Sequence, residues 1–382
     1  MNILEGSRAI ALTIKNIKPS VVSAYPITPQ THIVEDLAKF KADGKADYEY
    51  VRAESEFAAA SIVLGASATG QRVYTATSSQ GLLLMAEVLF NIAGMRLPIV
   101  LTCANRAVSA PINIWNDHQD AMTVRDAGWI MFFAENHQEA VSQHIMAYKI
   151  AEKLKLPVMV NVDGFILTHS YEGVYIPTEK EIKKYLPDYK AIPGEYLDPE
   201  NPVTLGAFAS PAYYMEIRQE LHDSLLNSQK TIKEEYIKYN KIIPQSLVKK
   251  GTIDNGLIEY TGPKNPRRII IAMGSVLGTI KEALKQENKT GVLKIKTFRP
   301  FPADEILNII KKVKYVDVVE KAISLGYIGP LASEIKAIAL GKTKAKINSY
   351  VLGLGGRDIT QEMIKNIVKN KNDFSESKFI NK

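Results

Sequence analysis

Three stretches of the chain concentrate groups able to do chemistry, and each follows directly on an apolar run. In AYPITPQT (residues 24–31), Pro26 and Pro29 fix two backbone torsions and force Tyr25 and Thr28 into extended conformations, so no helix can begin before Pro29. Thr28 is presented there with its hydroxyl free, although the same spacing also serves as ordinary loop punctuation. In VRAESEFAAASIVLGASATG (51–70), Glu54 and Glu56 stand where a strand gives way to a helix. Either carboxylate could cap that helix or favour its positive end. The helix is uncharged after Glu56, which predicts burial nearly all round, and a carboxylate at its mouth would suit hydrogen bonding to a heterocyclic base. In LTCANRAVSAPINIWNDHQD (101–120), Arg106 could pair with Asp117 or Asp120 as a structural fork, or bind a carboxylate ligand in bidentate fashion. His118 has no second His or Cys at ligand spacing, so no metal site is expected.

The elements that must position these residues alternate. Residues 21–25, 48–52, 72–77, 97–103, 129–134 and 156–163 read as buried strands, and 7–17, 33–42, 56–67, 80–93 and 137–153 as helices. Such alternation predicts an α/β fold with a mostly parallel sheet covered on both faces, whose ligands collect where strands end. Text rich in proline follows from residue 171 to about 202, then a helical stretch over 213–240. Strands at 267–275, 291–297 and 314–320, with helices at 278–287 and 303–312, build a second domain that starts near residue 262 in TGPKNP.

At 382 residues, two domains are the first expectation. A composition of 46% hydrophobic and 23% charged residues is that of an ordinary globular protein. No apolar run approaches membrane-spanning length, and MNILEGSRAIALTIKNIKPS reads as a first helix and not as a secretory signal. The single Cys103 excludes an internal disulfide and a thiolate cluster within the chain, which points to a reducing, cytoplasmic setting. Residues 1–230 hold 20 Lys+Arg against 26 Asp+Glu, and the remainder 28 against 15, balances of −6 and +13. The basic part could meet an acidic protein or a phosphorylated cofactor, or simply carry solvated lysines. Its charges are scattered without interleaved aromatics, so nucleic acid is not expected. No nucleophile elbow, P-loop or dinucleotide fingerprint is present.

With YPITP (25–29), ESEFAAASIVLGASATG (54–70), TATSSQGLLLM (75–85) and NRAVSAPINIWNDHQD (105–120), the chain resembles the alpha subunits of pyruvate:ferredoxin oxidoreductases. GWIMFFAENHQEA (128–140), NVDGFILTHSYE (161–172), TFRPFP (297–302) and GLGGRD (353–358) extend the resemblance in the same order over nearly the whole chain. It implies a pyrimidine-type, thiamine-diphosphate-binding domain over residues 1–245, with an irregular and helical extension from about 171, and a transketolase C-terminal-like α/β domain over 262–382.

The activity implied is oxidative, reversible decarboxylation of pyruvate with coenzyme A to acetyl-CoA, CO2 and reduced ferredoxin, by a complex in which this subunit alone is inactive. The resemblance carries over Glu56 as the carboxylate that bonds the aminopyrimidine, with Glu54 as its rival, and Pro26 and Ile27 beside the cofactor. It carries over Thr28 and Arg106 as the pair that holds the pyruvate carboxylate. Beta, gamma and delta subunits would supply the magnesium and diphosphate site and the 4Fe-4S clusters. Three other readings stand beside this one: the same chemistry on a branched-chain or other 2-oxoacid, a non-redox thiamine enzyme of the transketolase kind, and a non-catalytic assembly subunit.

Overall fold

The computed structural model describes residues 1–248, 253–372 and 376–381, and over these the chain forms two seven-stranded sheets and a two-stranded ribbon. The first part runs β1 (Asn2–Glu5), α1 (Gly6–Ile17), β2 (Val21–Ala24), α2 (Thr31–Ala42), β3 (Glu49–Arg52), α3 (Glu56–Ala68), β4 (Val73–Thr77), α4 (Ser79–Leu84) and α5 (Ala86–Gly94). It continues with β5 (Val100–Asn105), α6 (Gln119–Thr123), β6 (Ile130–Phe133), α7 (His137–Leu154), β7 (Val158–Asp163) and β8 (Tyr171–Val174), then α8 (Glu179–Tyr185) and the long α9 (Tyr214–Tyr239). The second part holds β9 (Ile253–Asp254), β10 (Ile258–Thr261), β11 (Arg268–Ala272), α10 (Val276–Ala283), β12 (Thr290–Ile295), β13 (Thr297–Arg299) and α11 (Ala303–Ile310). It closes with β14 (Tyr315–Glu320), α12 (Pro330–Ala339), β15 (Lys346–Val351), α13 (Gln361–Lys369) and β16 (Ser377–Phe379).

The first sheet has the order β13-β6-β7-β5-β4-β2-β3, and every pairing from β6 to β3 is parallel. The strands β4, β5, β6 and β7 are buried along their whole length, as continuous apolar runs in a sheet covered on both faces must be. The second sheet, β16-β15-β14-β11-β12-β10-β9, is parallel from β16 to β12 and antiparallel beyond it. The chain enters this sheet at Ile253, ahead of residue 262. Strand β13 crosses back and pairs antiparallel with β6, so a segment of the second part closes the edge of the first sheet. One apolar core accordingly runs through both parts, from Ala9 to Ala339.

Four details differ from the sequence reading. The chain opens on a strand, β1, which pairs antiparallel with β8 before the first helix begins. Of residues 48–52, Tyr48 is buried but 49–52 form a largely exposed edge strand and not a buried one, because β3 has a neighbour on one side only, β2. The helix expected over 80–93 is broken at Met85 into α4 and α5. Helix α3 is not buried all round: Phe57 is 41% exposed, and Gly65 also faces outward.

Candidate active site at the strand ends

Strands β2, β3, β4 and β5 are parallel neighbours, so their carboxyl ends lie along one edge of the first sheet. Thr28 follows β2, Glu56 follows β3, Thr77 ends β4 and Arg106 follows β5. The two prolines keep residues 25–30 out of the helix, which starts at Thr31, and Thr28 is exposed. The turn is tied back to the sheet by Gln30, whose side-chain oxygen accepts from the Ile27 amide at 3.3 Å and whose nitrogen donates to the Ala76 carbonyl at 2.7 Å. That anchor sets the position of exposed Pro26 and half-buried Ile27 against the end of β4.

Thr28 and Arg106 are brought into contact. The Arg106 guanidinium donates to the Thr28 carbonyl at 2.9 Å and to the Asn113 carbonyl at 3.1 Å. Among the described residues no carboxylate lies within ion-pair distance of it, so the structural fork with Asp117 or Asp120 does not form. Asp120 accepts the Arg106 backbone amide at 2.9 Å instead. Two carbonyl oxygens aim the guanidinium without neutralising it, which leaves its charge for an anionic ligand.

Asp120 organises the site from below. Fully buried, it accepts from the Ser79 amide at 3.0 Å, the Asn105 side chain at 3.0 Å and the Ala121 amide at 2.7 Å, besides Arg106. Burial pushes its pKa up, and these donors pull against that rise. Its bonds join the ends of β4 and β5. They also hold Ser79 at a φ of +47°, a left-handed conformation that side-chain-bearing residues seldom adopt and that clusters at functional sites. Asp117 stays close by, accepting from the Gln119 and Gly355 amides, and burial pushes its pKa up to about 6.

Glu56 is the first residue of α3, whose N-cap Ser55 accepts from the Ala58 amide at 3.1 Å. The helix start separates the two glutamates: Glu56 is 7% exposed, whereas Glu54 faces solvent. Beside Glu56 lies the start of α4. A Cβ built on Gly81 would stand 2.4 Å from Thr77 Oγ1 and 2.7 Å from Glu56 Oε1, so only glycine leaves this floor open. Thr77 Oγ1 and Gln80 Nε2 are buried here without a protein partner. A buried carboxylate next to orphaned polar atoms fits the edge of a nitrogen heterocycle, which would satisfy them. The roles of Asp120, Thr77, Gln80 and Gly81 were missed in the residue-by-residue reading; the hydroxyl-rich TATSSQG after an apolar run was the available signal.

His118 lies further along this edge, at the end of β7. It is buried, with Nε2 2.7 Å from Asp163 Oδ1, and Asp163 also receives Lys321 Nζ at 2.7 Å and the Ser275 amide at 3.0 Å from the second part. Burial raises the Asp163 pKa, but Lys321 and His118 overcome it and hold the group well below the carboxylate range.

Residues 13–237 match the family described as pyruvate flavodoxin/ferredoxin oxidoreductase, thiamine diP-bdg, and residues 267–364 match pyruvate:ferredoxin oxidoreductase core domain II. The chain is 45% identical over 375 residues to the pyruvate synthase subunit PorA of Methanocaldococcus jannaschii, covering 96% of this chain and 94% of that one. It is 39% identical over 383 residues to the ketoisovalerate oxidoreductase subunit VorA of Pyrococcus abyssi, covering 98% and 94%. The fold matches the solved 2-oxoglutarate:ferredoxin oxidoreductase from Magnetococcus marinus, with 2-oxoglutarate, coenzyme A and succinyl-CoA bound, at a TM-score of 0.70 and 23% identity. That match covers 96% of this chain and 64% of the solved one.

Proposed function

Because the chain belongs to the pyruvate:ferredoxin oxidoreductase family, we propose that it is the alpha subunit of a multi-subunit enzyme that oxidatively decarboxylates pyruvate with coenzyme A, giving acetyl-CoA, CO2 and reduced ferredoxin, reversibly. The observation that carries this reading is the Arg106 guanidinium, held by the Thr28 and Asn113 carbonyls with no carboxylate partner among the described residues. It would bind the pyruvate carboxylate together with the Thr28 hydroxyl. Since that carboxylate leaves as CO2, a tight grip on it would oppose the reaction, and Arg106 serves to orient the substrate more than to stabilise its transition state.

Thiamine diphosphate supplies, when bound, the carbon nucleophile and the electron sink. Glu56 would hold and exchange a proton with the aminopyrimidine, Thr77 Oγ1 and Gln80 Nε2 would meet its polar edge, and Pro26 and Ile27 would lie against it. The buried Cys103 provides no set of thiolates, so the 4Fe-4S clusters fall to partner subunits, as does the Mg2+ and diphosphate site. Exposed apolar side chains, Phe57 on α3 and Phe208 at 94% exposure, suit surfaces covered by beta, gamma and delta subunits. No described helix is long and apolar enough to cross a membrane, and we place the complex in the cytoplasm.

Purified complex is expected to reduce ferredoxin with pyruvate only when coenzyme A is present, and faster than with 2-oxoisovalerate. The opposite preference would favour the branched-chain reading that the similarity to VorA keeps in view. Glu56→Gln, in complex of unchanged subunit composition, should lower turnover at least about 100-fold, the usual scale for a proton-transfer group. Full activity in that variant removes the role given to Glu56.

A further inference from the structure

We propose that Glu5, His32 and His169 form a binding site for a divalent transition-metal ion of the zinc type, separate from the residues assigned to substrate and cofactor. The three come from different segments: Glu5 precedes α1, His32 is the second residue of α2, and His169 lies in the turn between β7 and β8. One ligand atom from each falls within 4.8 Å of the other two, and this is the only such group of three among the described residues. Zinc bonds of roughly 2.0–2.2 Å require the ligand atoms to rearrange around the ion, which the His32 side chain, 48% exposed, is free to do.

The surroundings resemble those of a ligand set more than those of a simple ion pair. His32 Nδ1 lies 2.7 Å from Glu5 Oε1, and the two imidazole rings are 4.5 Å apart. His169 Nδ1 is 2.7 Å from the Thr168 hydroxyl, whose oxygen also accepts the Phe165 amide at 2.8 Å. An oriented partner on one ring nitrogen, with the other nitrogen left over, is the usual support of a metal-bound histidine. Two imidazoles and one carboxylate without a thiolate select zinc or its neighbours in the first transition row over Mg2+ or Ca2+. Of the other four histidines, His118, His137 and His144 are buried, and His222 lies on α9 outside any such group.

The site would act on the turn that carries Thr28. Helix α2 begins just beyond the Thr28 turn, and a Cβ on Gly164, in the turn that carries His169, would stand 2.6 Å from Pro29 Cγ. An ion shared by His32 and His169 therefore clamps these two segments together. The clamp also has a built-in reporter: His169 packs on Phe165 at 4.7 Å, and Phe165 on the half-exposed Trp115 at 4.4 Å.

The test uses the tag-free full chain, stripped with a chelator and dialysed against micromolar Zn2+ with millimolar Mg2+. One equivalent of zinc should be retained, His32→Asn and His169→Asn should each weaken binding more than about tenfold, and Ni2+ should quench the Trp115 emission. No retention of zinc, or retention unchanged in both variants, overturns the site. Should the variants fail to fold, X-ray absorption at the zinc edge of the loaded wild-type chain decides. Scattering from two imidazoles without sulfur supports the assignment, and a sulfur ligand or the absence of imidazole overturns it.

Discussion

Arg106 illustrates what a single residue contributes here. Its five donors form a rigid fork, and two of them are committed to the carbonyls of Thr28 and Asn113. Lysine would keep the charge and lose the fork. Arg106→Lys is therefore expected to raise KM for pyruvate by about 10- to 100-fold, the equivalent of about 1.5–3 kcal/mol for a charged hydrogen bond, with a smaller effect on kcat. Steady-state kinetics of the assembled complex, varied in pyruvate, check this. The residue types and their places at strand ends were readable beforehand. What Arg106 bonds to was not, since Thr28 lies 78 positions away in the chain.

At the scale of elements, α7 and β5 are joined by a buried histidine. His144 Nε2 lies 2.6 Å from Thr102 Oγ1 on β5, and Nδ1 lies 2.6 Å from the Ala140 carbonyl one turn back. Burial lowers its pKa from 6.5 to about 4. The folded state thus binds fewer protons than the unfolded one between these values, so stability is full above pH 6.5 and falls as the pH drops towards 4. The loss between pH 7 and pH 5 should be about 2 kcal/mol, at about 1.4 kcal/mol per unit below 6.5. Urea unfolding of the wild type and of His144→Gln at both pH values should show this part of the slope only in the former. Periodicity located α7 and β5 to within a few residues, because one long amphipathic pattern and one apolar run have few alternatives. It misjudged the exposure of β3 and α3, because exposure depends on neighbours that periodicity does not register.

Across the whole molecule, the two parts are held by buried charge as well as by the shared core. Lys321 of the second part reaches Asp163 of the first at 2.7 Å and Asn116 at 2.8 Å, all three buried. Lys294 on β12 meets Glu135, just ahead of α7, at 2.7 Å, and Lys296 meets Glu139, in the first turn of α7, at 3.2 Å. Part of the opposed charge balance of the two parts is therefore spent at their own junction. Lys321→Met removes the buried cation that faces the Asp163 carboxylate, leaving it His118 and Ser275, and should cost up to about 3–5 kcal/mol, while adding Asp163→Asn should recover part of that loss. Thermal unfolding of both variants measures it. The sequence by itself determined the alternation of strands and helices, the placement of Thr28, Glu56 and Arg106 at strand ends, and the motifs of the family, because these depend on local pattern and order. Only the tertiary structure decided that Glu56 and not Glu54 turns inward, that Arg106 keeps its charge free, and that Lys321 pairs with a carboxylate 158 positions away. Burial and pairing are properties of contacts between distant segments, and those contacts exist only once the chain has folded.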